Sequence, residues 1–246
     1  MIDYLPPMLK PLADDVWTLD LALRSTGMHL PVRTTVVRLP NGDLIVYSPF
    51  ELDQATAQAL DELGRVAWLV GPNTYHHLKL RHWQERWPDA ELWATAALQK
   101  KRPDLKWSGV LGEGDAPAEW AGLVDHVVLA GAPKMGEVAL FHRSSGTALV
   151  CDLVFNVLEP QGFFLRLFMR VTGVFGRFRA SRMWKFLVKD RARMHEDVER
   201  ILAWDIRRVV MAHGDVVEHD AHARLVEALA WLRAAPTRAA LDSRVS

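Results

Sequence analysis

Between Val16 and Leu23 apolar and polar side chains alternate with period two, as in a strand that buries one face. Thr34 to Val37 and Leu44 to Tyr47 flank Pro40-Asn41-Gly42-Asp43, whose Asn-Gly pair tolerates the positive φ of a hairpin turn, so the chain is expected to open with antiparallel strands. Leu52 to Leu63 changes to helical spacing and stops at Gly64, and Val66 to Val70 is a short apolar run suited to a buried strand. Gly71-Pro72-Asn73-Thr74-Tyr75-His76-His77 then reads as a loop at a strand end. His77 to Trp87 has helical spacing up to Pro88, Glu91 to Thr95 has the make-up of a strand, and Ala96 to Trp120 gives no firm period beyond a loop with a short helix.

His126 to Leu129, Glu137 to His142 and Thr147 to Asp152 read as three strands, the last two joined by Arg143-Ser144-Ser145-Gly146. Phe163 to Val188 is apolar and basic at once, with Gly173 and Gly176 dividing it into two helices, and Arg191 to Trp204 continues as helix. Arg208 to Ala212 is the last expected strand, His213-Gly214-Asp215 follows it, and Ala221 to Ala234 closes as an amphipathic helix. Strands alternating with helices, with hairpins in both halves, favour an α/β (α+β) arrangement of layered sheets covered by helices over a simple parallel sheet. No strand is followed by a G-x-G-x-x-G or G-x-x-x-x-G-K-[ST] loop, so nucleotide cofactors lose support.

A chain of 246 residues, 50% hydrophobic and 24% charged, can bury about three-quarters of its unfolded surface, and residues 1–246 are read as a single domain. Thirty basic side chains balance thirty acidic ones, which argues against a nucleic-acid partner, because counterion release needs a surplus of cations. The single cysteine, Cys151, forms no intramolecular disulfide, and Met1-Ile2-Asp3-Tyr4-Leu5-Pro6-Pro7 carries no apolar signal core. With no apolar run near the roughly 18 residues of a membrane span, the expectation is a soluble, cytoplasmic protein.

Polar groups cluster at three strand ends: His76-His77, Asp152, and His213-Gly214-Asp215. About one strand-helix-strand module separates each from the next, so a layered sheet would bring them to one edge. Imidazoles and a carboxylate suit zinc, manganese or iron. Taken singly, each has an ordinary explanation: a surface loop, a cap, a hydrogen-bonded core histidine.

In its order of motifs the chain resembles the metallo-β-lactamase superfamily, over about Val16 to Leu232. The carriers are the hairpin with Asn41-Gly42, the loop Pro72 to His77, the hairpin Phe141 to Thr147 leading into Cys151-Asp152-Leu153, and Met211-Ala212-His213-Gly214-Asp215. The resemblance implies a four-layer αββα sandwich with its site at one edge of the paired sheets. Laid on the family's His-x-His-x-Asp-His motif, Pro72 and Thr74 replace the first two histidines, His76 stands for the aspartate and His77 for the last histidine. Ala132 falls where a further histidine is expected, while Asp152 and His213 match the bridging aspartate and the terminal histidine. The first metal's own ligands are thus gone, and the resemblance leaves one divalent metal, zinc foremost, on His76, His77, Asp152 and His213, or none if the site is degenerate. Four ligands in a closed tetrahedron would be structural, and catalysis would need a further open position. Hydrolysis is the implied reaction class, with Thr74 and Tyr75 lining the site for substrate and His142 and Asp215 as proton carriers or orienting groups.

Pro160 to Arg193 holds nine basic residues, Arg166, Arg170, Arg177, Arg179, Arg182, Lys185, Lys189, Arg191 and Arg193, against one acid, Asp190, interleaved with Phe163, Phe164, Phe168, Phe175, Phe178 and Trp184. As a helical insertion at about 160–193 it reads as a solvated helical layer, as a lid whose Arg166 and Arg170 attract a small anionic substrate, or as a surface for peripheral contact with anionic lipid. The expected function is a metal-dependent hydrolase with an anion-friendly pocket. The alternative is an inactive relative that binds a membrane or protein partner through the basic helices, and the aromatic content also suits a homodimer interface.

Overall fold

The structure, a computed structural model, describes residues 9–25, 28–112 and 115–233, without the side chains of residues 22–29 and 233; the readings of Met1 to Pro7 and of Ala234 lie outside the described residues. The first half of the chain builds one sheet in sequential order from β1 (Leu9–Ala13), β2 (Val16–Ser25), β3 (Met28–Arg38), β4 (Asp43–Tyr47), β5 (Arg65–Gly71), β6 (Glu91–Ala94) and β7 (Gly109–Val110). Strands β1 to β4 pair antiparallel and β4 to β7 parallel, because helices α1 (Gln54–Leu63), α2 (Leu80–Arg86) and α3 (Ala96–Lys101) provide crossovers. The second sheet has the order β11 (Arg208–Val210), β10 (Thr147–Leu149), β9 (Val138–His142), β8 (Val124–Val128), with β10 and β11 parallel. Helices α4 (Phe163–Thr172), α5 (Trp184–Leu187) and α6 (Arg191–Leu202) separate β10 from β11, and α7 (Ala221–Ala228) and α8 (Ala230–Arg233) follow.

Period-two alternation decides which core each side chain enters. In β4, Ile45 and Tyr47 face the second sheet, while Leu44 and Val46 face the outer helices. In β9, Val138 and Leu140 face the first sheet, while Ala139 and Phe141 lie under α6 and α7. Every strand in the middle of the molecule is therefore apolar on both faces. Four cores result among the described residues: an inter-sheet core containing Tyr47, Trp68, Trp120 and Leu140, an outer one with Leu60, Leu80 and Trp83 over the first sheet, another with Met194, Ile201 and Leu225 over the second, and a small one with Phe155, Leu165 and Met169 under α4. This is the four-layer αββα sandwich. Local signals set its boundaries: the Asp53 carboxylate accepts from Thr56 N at 2.7 Å to start α1, and Gly64 N closes it on the Leu60 carbonyl.

Departures from the expected elements have physical causes. Strand β1, unforeseen, lies at the sheet edge with two of its five residues exposed, none fully buried, and Pro11 within it. The strand expected to reach Asp152 ends at Leu149: Val150 N still donates to the Val210 carbonyl, but the N–H groups of Cys151, Asp152 and Leu153 turn toward the Glu137 side chain instead of a neighbouring strand. The helix expected from His77 begins at Leu80, because the His77 carbonyl accepts from Leu80 N and the Arg102 guanidinium. The stretch from Ala96 to Trp120 contains α3, β7 and a 3-10 turn at Ala118–Trp120, and the closing helix is two short ones, α7 and α8.

Candidate metal centre

Two strand ends and one loop build the site. Strands β10 and β11 are parallel neighbours, so the turns after them, carrying Asp152 and His213, emerge side by side at one edge of the second sheet. The loop after β5 comes from the other sheet and is tied across the gap: Val138 N donates to the Pro72 carbonyl at 2.9 Å and Thr74 N to the Met135 carbonyl at 3.0 Å. Within it the Asn73 carboxamide oxygen accepts from Tyr75 N and His76 N, curling the loop so that His76 points back over Asp152.

Three donor groups converge. His76 Nε2 and His213 Nε2 are 3.2 Å apart, His213 Nε2 lies 3.2 Å from Asp152 Oδ1, and His76 Nε2 lies 3.7 Å from Asp152 Oδ2. Ligand atoms about 2.0–2.1 Å from a tetrahedral zinc are about 3.3–3.4 Å apart, so the donor set fits a divalent cation in spacing as well as chemistry. Each ring is fixed through its other nitrogen. His213 Nδ1 donates to the Pro31 carbonyl at 2.6 Å, which leaves the Nε2 lone pair for the centre, and His76 Nδ1 lies 3.0 Å from Ser48 Oγ. Phe155 stacks on the His213 ring at 5.2 Å. Ser48 itself has φ of +59°, uncommon for a side chain that is not glycine, and is held there by its N–H on the Val70 carbonyl and its carbonyl on Thr34 Oγ1.

Asp152 is equally constrained: Asn73 Nδ2 donates to its Oδ2 at 2.9 Å, Trp184 Nε1 to its carbonyl at 3.0 Å, and its own N–H points to Glu137. Burial alone would raise its pKa, yet the His76 and His213 imidazoles and the Asn73 amide hold it down at about 2, so the carboxylate is ionised. Burial pushes the His76 imidazole down to about 4 against the opposing pull of Asp152, with His213 and His77 adding to the depression; its ring is neutral, the form that ligates metals.

Sequence reasoning missed Glu137. Fully buried, it accepts from the N–H groups of Cys151, Asp152 and Leu153 at 2.9 to 3.0 Å and from Asn73 Nδ2 at 3.2 Å. It thereby shapes the turn that carries Asp152. Burial and the nearby Asp152 charge push it up to about 8, against the pull of the three backbone donors. The signal was present: an acid opening an otherwise apolar strand, Glu137-Val138-Ala139-Leu140-Phe141, has to find buried donors.

The remaining expected residues are spread out. His77 is outside the cluster: its ring Nδ1 is 3.1 Å from the Arg102 guanidinium, although the residue still lines the same cavity. His142 bonds Ser144 and Ser145 at the far end of β9, five residues and about 17 Å of strand from Glu137. Asp215 lies along a neighbouring, more polar cavity, its backbone tied to Asn156. Thr74 Oγ1 is engaged with the Lys134 carbonyl, while Tyr75 lines the cavity mouth with the Lys101 ammonium 5.5 Å from its ring. Arg166 and Arg170 are on the exposed surface of α4 and do not line the cavity. The triad sits in a cavity of about 270 Å³ whose other walls include Leu30, Phe50, Met135, Phe155, Met183 and Trp184, an apolar lining where an anion-friendly one was expected.

Comparison with known proteins agrees with this architecture. A metallo-β-lactamase from Erythrobacter litoralis superposes with a TM-score of 0.64 at 15% identity, covering 94% of this chain and 99% of that one. One from Pontibacter korlensis gives 0.64 at 11% identity, with 93% and 99% covered. The metal-soaked flavodiiron core from Synechocystis gives 0.62 at 11% identity, covering 92% of this chain, which spans 61% of that protein. At such identities the likeness establishes the metallo-β-lactamase fold. No curated protein matches in sequence. The model of a domain of unknown function, DUF4336, matches residues 13–167. That stretch is more than half of the chain and includes His76, Glu137 and Asp152, and the protein therefore belongs to the DUF4336 family.

Proposed function

We propose that the protein is a metal-dependent hydrolase that works with one divalent cation, zinc foremost, held by His76 Nε2, His213 Nε2 and the Asp152 carboxylate. One observation carries this reading: three donors from three separate chain segments meet at the floor of a cavity, and all three are held from behind by other residues. Three protein ligands distinguish a catalytic zinc site from a closed structural one, which takes four. A cation bound there supplies Lewis acidity and a nucleophile at neutral pH by lowering the pKa of water. The protein's own side chains do the rest. Asp152 keeps its charge and orients both imidazoles; the Pro31 carbonyl fixes the His213 tautomer and the Ser48 hydroxyl holds the orientation of the His76 ring; the apolar walls exclude bulk water and accommodate an apolar part of the substrate. Tyr75, beside the Lys101 ammonium, offers the mouth a hydroxyl for orienting a polar head.

The test is metal analysis of purified protein followed by assay against ester, thioester, lactone and phosphodiester substrates with apolar chains. One equivalent of metal, lost together with hydrolysis in His213→Ala and Asp152→Ala, is expected. A chain that takes up no zinc and melts identically in chelator would instead be a non-catalytic relative.

A further inference from the structure

Helix α4 divides its circumference into three arcs. At about 100° per residue, Leu165, Met169 and Thr172 form the buried arc, with Leu165 and Met169 against Phe155, Val157 and Val174. Phe163, Phe164, Leu167, Phe168 and Val171 form a second arc about 140° wide, and all five are exposed, Phe163 by 71% and Val171 by 68%. Arg166 and Arg170 fill the remainder. A surface helix ordinarily turns its polar side to water. Here an apolar stripe faces outward and cations border it.

The stripe continues beyond the helix. Phe168 and Met183, both exposed, also line the cavity; across its mouth stands Leu78, exposed by 70%, and Phe186 of α5 is exposed by 78%. Phe168 and Met183 therefore connect the exposed apolar stripe of α4 to the cavity that holds the His76, Asp152 and His213 triad. Among the described residues no acid pairs with the bordering cations: Arg166 Nε donates to the Pro160 carbonyl, the Arg170 guanidinium lies 4.1 Å from the Phe175 ring centre, and the Lys185 ammonium 5.9 Å from that of Trp231. Two copies apposed through this face by a two-fold axis would set cation rims near each other. An anionic lipid surface satisfies both halves of the pattern, apolar insertion inside a basic rim.

We propose that α4 and α5 dock the protein on anionic lipid, with the cavity mouth turned to the bilayer. This rests on exposure and charge and is independent of the hydrolase reading. In co-sedimentation, the full chain is expected to bind phosphatidylcholine vesicles containing phosphatidylglycerol, to release them as salt rises, and to ignore pure phosphatidylcholine. Arg166→Gln and Arg170→Gln should each weaken binding roughly fivefold, and together more than tenfold. Phe163→Glu with Leu167→Glu should reduce it to background without lowering the melting temperature, because both side chains are exposed. His213→Ala should bind vesicles like the wild type, so a failed metal site leaves this result intact. Absence of binding to the anionic vesicles overturns the proposal, as does binding that survives both the arginine and the glutamate substitutions. It is also overturned if light scattering finds a dimer that the Phe163→Glu, Leu167→Glu protein no longer forms, since the face would then be a self-association surface.

Discussion

Glu137 is not one of the three converging donor groups, yet the position of Asp152 depends on it. Its two oxygens take four N–H donors, three of them consecutive backbone groups of the turn at Cys151 to Leu153. Glu137→Gln keeps the volume but must aim an NH2 at N–H groups, leaving buried donors unpaired at a pH above about 8, where the wild-type group is the all-acceptor carboxylate. The expected cost is about 2–4 kcal/mol, read as a lower urea midpoint with unchanged slope. Gly214 plays the corresponding part for His213. Its φ is +100°, and a Cβ there would meet the Asn156 carbonyl carbon at 2.2 Å, at the point where Asn156 N donates to the His213 carbonyl and Asp215 N to the Asn156 carbonyl. Gly214→Ala forces that bridge apart and tilts the ring; zinc affinity should fall about 10–100-fold, measurable by competition with a chromophoric chelator, even in protein that remains folded.

At the scale of elements, helix α6 meets the loop after β8 at Gly131, without room for a side chain. A Cβ on Gly131 would stand 2.4 Å from Met194 N, the Gly131 N–H donates to the buried Asp197 carboxylate at 2.9 Å, and its carbonyl accepts from Lys189 N and Asp190 N. Gly131→Ala should therefore destabilise the protein by about 1–3 kcal/mol, with Gly131→Ser worse, and hydrogen exchange in α6 should accelerate before that in β9. Such close approaches are invisible to periodicity, which explains what the sequence could and could not convey. Strands β4, β5 and β9 were legible because alternation or a continuous apolar run reflects their two-sided burial. Edge strand β1 was not, because none of its residues is fully buried. His76, Asp152 and His213 were legible as strand-end residues, since parallel β10 and β11 must place their ends together. The spacing of His77 carried no information on which way its ring turns, and the guanidinium that holds it, Arg102, lies 25 residues further along the chain.

For the whole molecule, the triad draws its ligands from both sheets, so a bound cation adds a further link between layers already joined by apolar contact and by hydrogen bonds such as Val138 N to the Pro72 carbonyl and the Tyr47 hydroxyl to the Val138 carbonyl. The loop bearing His76 belongs to the first sheet, and the turns bearing Asp152 and His213 belong to the second. The unfolded chain has no such assembled site, and free energy of binding adds to stability: at zinc a hundredfold above its dissociation constant the gain is about 2.7 kcal/mol. For a chain of this length that raises the melting temperature by about 5–10 °C, reversibly with chelator. The shift itself, compared within each variant rather than between variants, counts the ligands. His213→Ala should abolish it, because the three-donor set is broken. His77→Ala should keep nearly all of it, even if that variant starts from a lower melting temperature through loss of the Arg102 contact, because its ring stands apart from the other three donors. A shift lost in both variants would mean that the His77 ring leaves Arg102 to close the tetrahedron. Four protein ligands make a structural site, which would remove the open position that the hydrolytic reading requires.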